Sequence, residues 1–273
     1  MRRSLLLQHQ YPKNSIICEF NITSIEQPVR ILGEHFDFSQ IDNIVIDGIY
    51  QHIVSDTYTL NSTGKHTVVL LFNNSNVTNL YGLFAECVNL TQVKFNSDLS
   101  YNTSLNRVFA NCSNLSYIDI SMLNTSSVLT TEYMCYGCTN LVSINMHYNN
   151  FNNCTTMEAM FSKCSNLIYM DTMYMSTTSN LTNLFAMFNE CSSLNDVYLG
   201  NIDTTSVTNM SYMFSYCQKL EKVMFYSPID SVQEIYGMFY GVNTNGTLYY
   251  NSSYDYSKMI AELPSTWTTS NAI

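Results

Sequence analysis

The sequence predicts an α/β repeat solenoid in which each coil contributes a short helix and a short parallel strand, with a small N-terminal β-domain ahead of it. Three observations carry this reading. A cysteine returns at nearly constant spacing, the apolar residues leading into it stand at helical spacing, and those following it alternate as in a strand.

The repeat is fixed by Cys87, Cys112, Cys138, Cys164, Cys191 and Cys217, which are 25, 26, 26, 27 and 26 residues apart, and by Val242 where the next cysteine would fall. Three residues earlier stand Phe84, Phe109, Cys135, Phe161, Phe188, Phe214 and Phe239, each preceded by Leu, Val or Met. Three residues later come Leu90, Leu115, Leu141, Leu167, Leu194 and Leu220. A period between about 20 and 50 residues marks a solenoid, because one such unit cannot bury its apolar side without neighbours.

Within a repeat the helix comes first. In VTNMSYMFSYCQKLEKVMF, residues 207–225, Met210, Met213, Phe214 and Cys217 lie at i, i+3, i+4 and i+7, the buried stripe of about two helical turns. Past Leu220 the period falls to two. Val223 and Phe225 face one way, and Lys222 and Met224 the other, as in a half-buried strand. Connecting stretches such as NIDTTS and SMLNTSS carry the Asn, Asp, Ser and Thr that cap helices and close turns.

The pattern V-T-N-M-x-x-M-F-x-x-C-x-x-L-x-x-V-x-F resembles the BspA-like repeats of bacterial surface proteins, a class of leucine-rich repeat also found in phages of gut bacteria. The resemblance covers about residues 77–250. It implies a leucine-rich-repeat-like fold and a role in adhesion or recognition.

The flanks complete the expected organisation. Residues 1–13 read as a tail, 14–72 as a small β-rich capping domain, 73–250 as a solenoid of about seven coils, and 251–273 as a C-terminal cap. IICEFNI, FDFSQIDNIVIDGIY and STGKHTVVLLF are β-rich runs separated by turn residues. At the far end a short helix is expected near Tyr256 to Leu263, with Trp267, the only tryptophan, plugging the last coil.

Composition narrows the function. Of 273 residues, 46% are hydrophobic, which is enough for a core, whereas only 12% are charged and the net charge is −10. A chain this acidic has no sequence-independent grip on nucleic acid or anionic lipid. No stretch approaches the ~18 to 20 apolar residues that span a bilayer, so membrane insertion is not expected. MRRSLLL is too short an apolar run for a secretory signal, so synthesis in the cytoplasm and arrival at a virion surface or outside the cell by another route is expected.

No catalytic motif emerges. The repeat cysteines occupy a core stripe, where Cys acts as a small hydrophobe, and Cys135-Tyr-Gly-Cys138 lacks the second ligand pair of a zinc site. The histidines are scattered, and no nucleophile elbow, P-loop or dinucleotide fingerprint is present. A non-catalytic protein without cofactor or metal is expected.

Function is therefore expected on the outward strand positions, five and seven residues past each repeat cysteine. The candidate ligand-binding residues there are Tyr117, Asp119, Asn145, Tyr169, Asp171, Asp196, Tyr198 and Lys222. Tyrosine beside carboxylates and amides can stack on and hydrogen-bond to sugars or polar protein surfaces. The expected partner is a protein or glycan on a cell surface, with other virion proteins as further partners. The expected function is surface recognition or adhesion by a phage fibre or decoration component. A bacterial adhesin and a purely structural virion assembly protein stand as alternatives.

Overall fold

The computed structural model describes residues 13–25, 27–52, 55–72, 77–173 and 178–271. All of the expected N-terminal tail except Lys13 lies outside these residues, as does the start of the expected solenoid at 73–76.

The N-terminal region is antiparallel. Strands β1 (Ser15–Ile22), β3 (Asn43–Ile46), β4 (Ile49–Gln51) and β6 (Gly64–Leu71) form a sheet in the order β4-β3-β6-β1, and β2 (Val29–Arg30) pairs with β5 (Thr57–Tyr58) beside it. Period-two patterning buries Ile16, Cys18, Phe20 and Ile22 of β1. Asp47 and Gly48, both at positive φ, make the two-residue β3–β4 turn that hairpin twist favours. β1 then pairs antiparallel with β7 (Leu90–Asn96), so this sheet runs on into the solenoid.

Each later coil adds a parallel strand: β8 (Tyr117–Asp119), β9 (Ser143–Asn145), β10 (Tyr169–Asp171), β11 (Asp196–Tyr198), β12 (Lys222–Phe225), β13 (Thr247–Tyr250) and β14 (Thr268–Asn271). Register joins β7-β8-β9 and, separately, β10 through β14.

The expected helix of each coil does not form, which corrects the α/β, leucine-rich-repeat-like fold class: the molecule is a β-solenoid. The only α-helix among the described residues is α1 (Ser257–Ala261), of five residues, in the C-terminal region. In the place of each helix stands a ribbon of consecutive tight turns. In the first coil, the amides of Leu83, Ala85 and Cys87 close i→i−3 turns onto Leu80, Gly82 and Phe84. Those of Gly82, Phe84 and Glu86 instead donate to the carbonyls of Asn106, Val108 and Ala110 in the next coil. The alternation recurs: Tyr133, Cys135 and Gly137 donate to Glu158, Met160 and Ser162, and Tyr212, Phe214 and Tyr216 to Tyr236, Met238 and Tyr240.

Hydrogen-bond satisfaction explains why the ribbon replaces the helix. A two-turn helix leaves four N–H and four C=O groups unpaired at its ends, more than half of those it has. The ribbon spends alternate amides on its neighbour. Its geometry needs positive φ at two residues per coil, five and one before the repeat cysteine. These are Gly82 and Glu86, Arg107 and Asn111, Tyr133 and Gly137, and so on to Gly237 and Gly241. Most are not glycine, and each such residue costs about 1–2 kcal/mol in the left-handed region, which the inter-coil bonds offset.

The ribbon's inward residues are those assigned to the helix stripe. Met160, Met187, Met213 and their equivalents are buried, and the phenylalanines stack coil upon coil. Ring centroids are 5.6 Å apart for Phe161–Phe188, 5.7 Å for Phe188–Phe214 and 5.5 Å for Phe214–Phe239. Trp267 continues the column 5.6 Å from Phe239, with its indole N–H donating to the Asn243 carbonyl.

All nine cysteines are free and buried. Cys112, Cys138, Cys164, Cys191 and Cys217 each donate S–H to a carbonyl of the preceding coil at 2.9–3.1 Å. That carbonyl, at the repeat phenylalanine position, already accepts a turn amide, and the thiol uses its second lone pair. The recurring cysteine is therefore a small hydrophobe that also ties coil to coil.

The ends are covered. Gly33 N–H donates to the Leu83 carbonyl, which has no preceding coil to serve, and the approach is so close that a Cβ at Gly33 would run into the Gly82 carbonyl oxygen. At the other end the Glu262 carboxylate accepts from Gly237 N–H at 2.9 Å.

Burial pushes the thiols of Cys18, Cys112, Cys164 and Cys217 well above the usual range, and that of Cys154 up to about 11. The unfolded chain loses these protons near pH 9 while the folded chain keeps them, so the stability they contribute is complete below that pH and lost above it. Urea unfolding should show stability falling as pH rises above about 9, each thiol adding up to about 1.4 kcal/mol per pH unit. Cys164→Ala should lower stability at pH 7 and flatten the alkaline slope; an unchanged slope would contradict the buried thiol's role.

Candidate recognition face

The outward strand residues emerge from a parallel ladder, so they line up in rows. Tyr169, Asp196 and Lys222 share one row, and Asp171, Tyr198 and Met224 another. Tyr117 pairs with Gln92 and Ser143, and Asp119 with Lys94 and Asn145. The eight candidate residues thus fall into two groups, one on β8–β9 and one on β10–β12.

Their exposures separate two roles. Tyr169 is 52% and Tyr117 36% exposed, whereas Asp119 is only 8% exposed. Asp119 accepts from Ser121 N at 3.1 Å, from Ser121 Oγ at 2.6 Å and from Asn145 Nδ2 at 3.1 Å, and its other oxygen lies 4.0 Å from Lys94 Nζ. Asn145 and Asp171 likewise accept from the amides two residues on, His147 and Met173. The carboxylate or amide seven residues past the cysteine therefore closes the turn that ends the strand.

The rest of the face is mixed. Tyr169 Oη donates to Asp171 Oδ2 at 2.9 Å. Tyr198 lies folded over Gly200, where a Cβ would strike its ring, and meets Tyr226 edge to face. Lys222 Nζ is 3.9 Å from Asp196 Oδ1, a loose exposed pair that contributes little. Burial and the neighbouring Asp119 charge raise the Tyr117 phenol above its usual range.

Between the two groups, β9 and β10 are not joined by strand pairing among the described residues. A cleft of about 240 Å3 lies there, lined by residues that include Ser143, His147, Tyr169 and Asp171. A larger polar hollow of about 710 Å3 lies where residues 35–42 meet the first coil, and there Gln40 is already bonded to the backbone of Thr78 and Asn79.

A family model described as Mycoplasma protein of unknown function, DUF285, matches residues 55–173 and 170–265. The chain belongs to the DUF285 family. Comparison with curated proteins and with solved structures returned no match.

This DUF285 chain also carries, away from the strand face, a cluster of four tyrosines that the sequence reading passed over, Tyr212 half-buried and the other three exposed. Tyr212, Tyr216, Tyr236 and Tyr240 stand on the turn ribbon of its last two coils. Tyr212 meets Tyr236 edge to face at 5.5 Å, and Tyr216 meets Tyr240 at 5.3 Å. The signal was a pairing across one repeat: glycines at 237 and 241 follow tyrosines at 212 and 216, and a Cβ on either glycine would come within 2.9 Å of the tyrosine ring.

These roles are separable by mutation. Asp119→Ala should lower stability by about 1–2 kcal/mol, because it removes a turn closure and leaves the amide of Ser121 without its acceptor. Tyr169→Ala should change stability by no more than about 0.5 kcal/mol. Equal costs in denaturant titrations would refute the division into turn closers and presented side chains.

Proposed function

We propose that this DUF285 protein is a non-catalytic recognition module displayed on an exposed surface, binding a protein or glycan of a cell surface through its strand face. The observation that carries the reading is the fixed, outward placement of Tyr117 and Tyr169 on a backbone ladder. A rigid phenol offers contact area and one hydrogen bond at little entropic cost. The similarity of the repeat pattern to BspA-like surface repeats supports display. Within that class a virion fibre or decoration component is the form we favour over a bacterial adhesin. Asp196, Tyr198 and Lys222 would add polar contacts, while Asp119, Asn145 and Asp171 hold the strand ends.

Replacing Tyr117, Tyr169 and Tyr198 together by Ala should abolish binding to host-cell surfaces or to an immobilised glycan panel, with an unchanged circular dichroism spectrum. Full binding by a folded triple variant would remove this face from the site.

A further inference from the structure

The turn ribbon already seats cations on tyrosine within the chain. The Arg107 guanidinium lies 4.6 Å from the Tyr133 ring centroid, and the Lys163 ammonium 5.2 Å from that of Tyr136. Farther along the same ribbon, Tyr216, Tyr236 and Tyr240 are 45%, 70% and 60% exposed, and among the described residues no cation lies over them or over Tyr212.

Their surroundings are acidic. Glu262 binds the amide of Gly237, which lies against the Tyr212 ring, and Glu190 acts electrostatically on Tyr216 as well as on Lys163. The whole chain carries a net charge of −10. Ring faces attract a cation through their quadrupole, and carboxylates at the rim strengthen that preference. Gly237 and Gly241 let the Tyr212 and Tyr216 rings lie against the next coil's backbone, which fixes the rings before any partner arrives.

We propose that Tyr216, Tyr236 and Tyr240, backed by the half-buried Tyr212 and rimmed by Glu190 and Glu262, form a docking surface for a basic polypeptide segment, whose Arg or Lys side chains take over these exposed rings the place that Arg107 and Lys163 take over Tyr133 and Tyr136. The surface lies on the turn ribbon, apart from the strand face, and does not depend on it.

The test is fluorescence anisotropy of the full chain with a labelled octa-arginine peptide at low and physiological salt. Saturable binding that weakens with salt is expected, and Tyr236→Ala/Tyr240→Ala should raise Kd at least tenfold. That variant keeps the net charge, so general acidity cannot account for the loss. Gly241→Ala, which displaces the Tyr216 ring, should also weaken binding, whereas the Tyr117/Tyr169/Tyr198 triple variant should bind as wild type. Equal affinity of wild type and a folded Tyr236→Ala/Tyr240→Ala variant overturns the proposal, as does binding of a neutral oligosaccharide at these tyrosines with none of the peptide.

Discussion

The rest of the structure depends on one interaction, the amide-to-carbonyl bond that the turn ribbon sends to the following coil. Within a coil only alternate amides close turns, so a lone coil would leave the others dangling. A buried unpaired amide costs about 1–3 kcal/mol, and several per coil would cancel the apolar burial that holds it. Stacking is therefore enforced by the backbone as much as by side chains. The bonds also have a direction: donors point toward the C-terminal end and acceptors toward the N-terminal end. Gly33 supplies an amide where acceptors would be bare, and Glu262 a carboxylate where donors would be. Each terminus is closed by the group of matching chemistry.

The sequence made the period, the strand positions and the inward residues legible, because all three follow from which positions are apolar. It did not make the ribbon legible. Met210, Met213, Phe214 and Cys217 face inward from a chain of turns as they would from a helix, so the i, i+3, i+4, i+7 spacing cannot tell the two apart. Glycine throughout the positive-φ positions would have distinguished them, but in the middle coils Arg107, Tyr133, Lys163 and Glu190 are among the residues that occupy those sites, with Gly137 the one glycine. What selects the ribbon is the neighbour's carbonyl row, which exists only once coils have stacked. The strand face was legible in part. Tyr117 and Tyr169 point outward as alternation requires, while the adjacent Asp119 and Asn145 are drawn into turn closures, since a short acceptor at a strand end reaches the amide two residues on.

The interface between the third and fourth coils shows which interaction carries continuity. There the phenylalanine column is broken by Cys135, and β9 and β10 are not paired among the described residues. The ribbon nevertheless crosses intact, with Tyr133, Cys135 and Gly137 donating at 2.8–2.9 Å to Glu158, Met160 and Ser162. The Cys164 thiol reaches the Cys135 carbonyl at 3.1 Å, and Asn166 Nδ2 bonds Asn140 Oδ1 at the same distance. Ring stacking and strand pairing can both lapse at one interface so long as the ribbon does not. That tolerance leaves a cleft on the strand face beside Tyr169 without opening the core beneath it, since Met160 and Leu167 stay fully buried. A solenoid built this way can alter a strand edge for recognition and keep its stacking, because the two tasks rest on different sides of the coil.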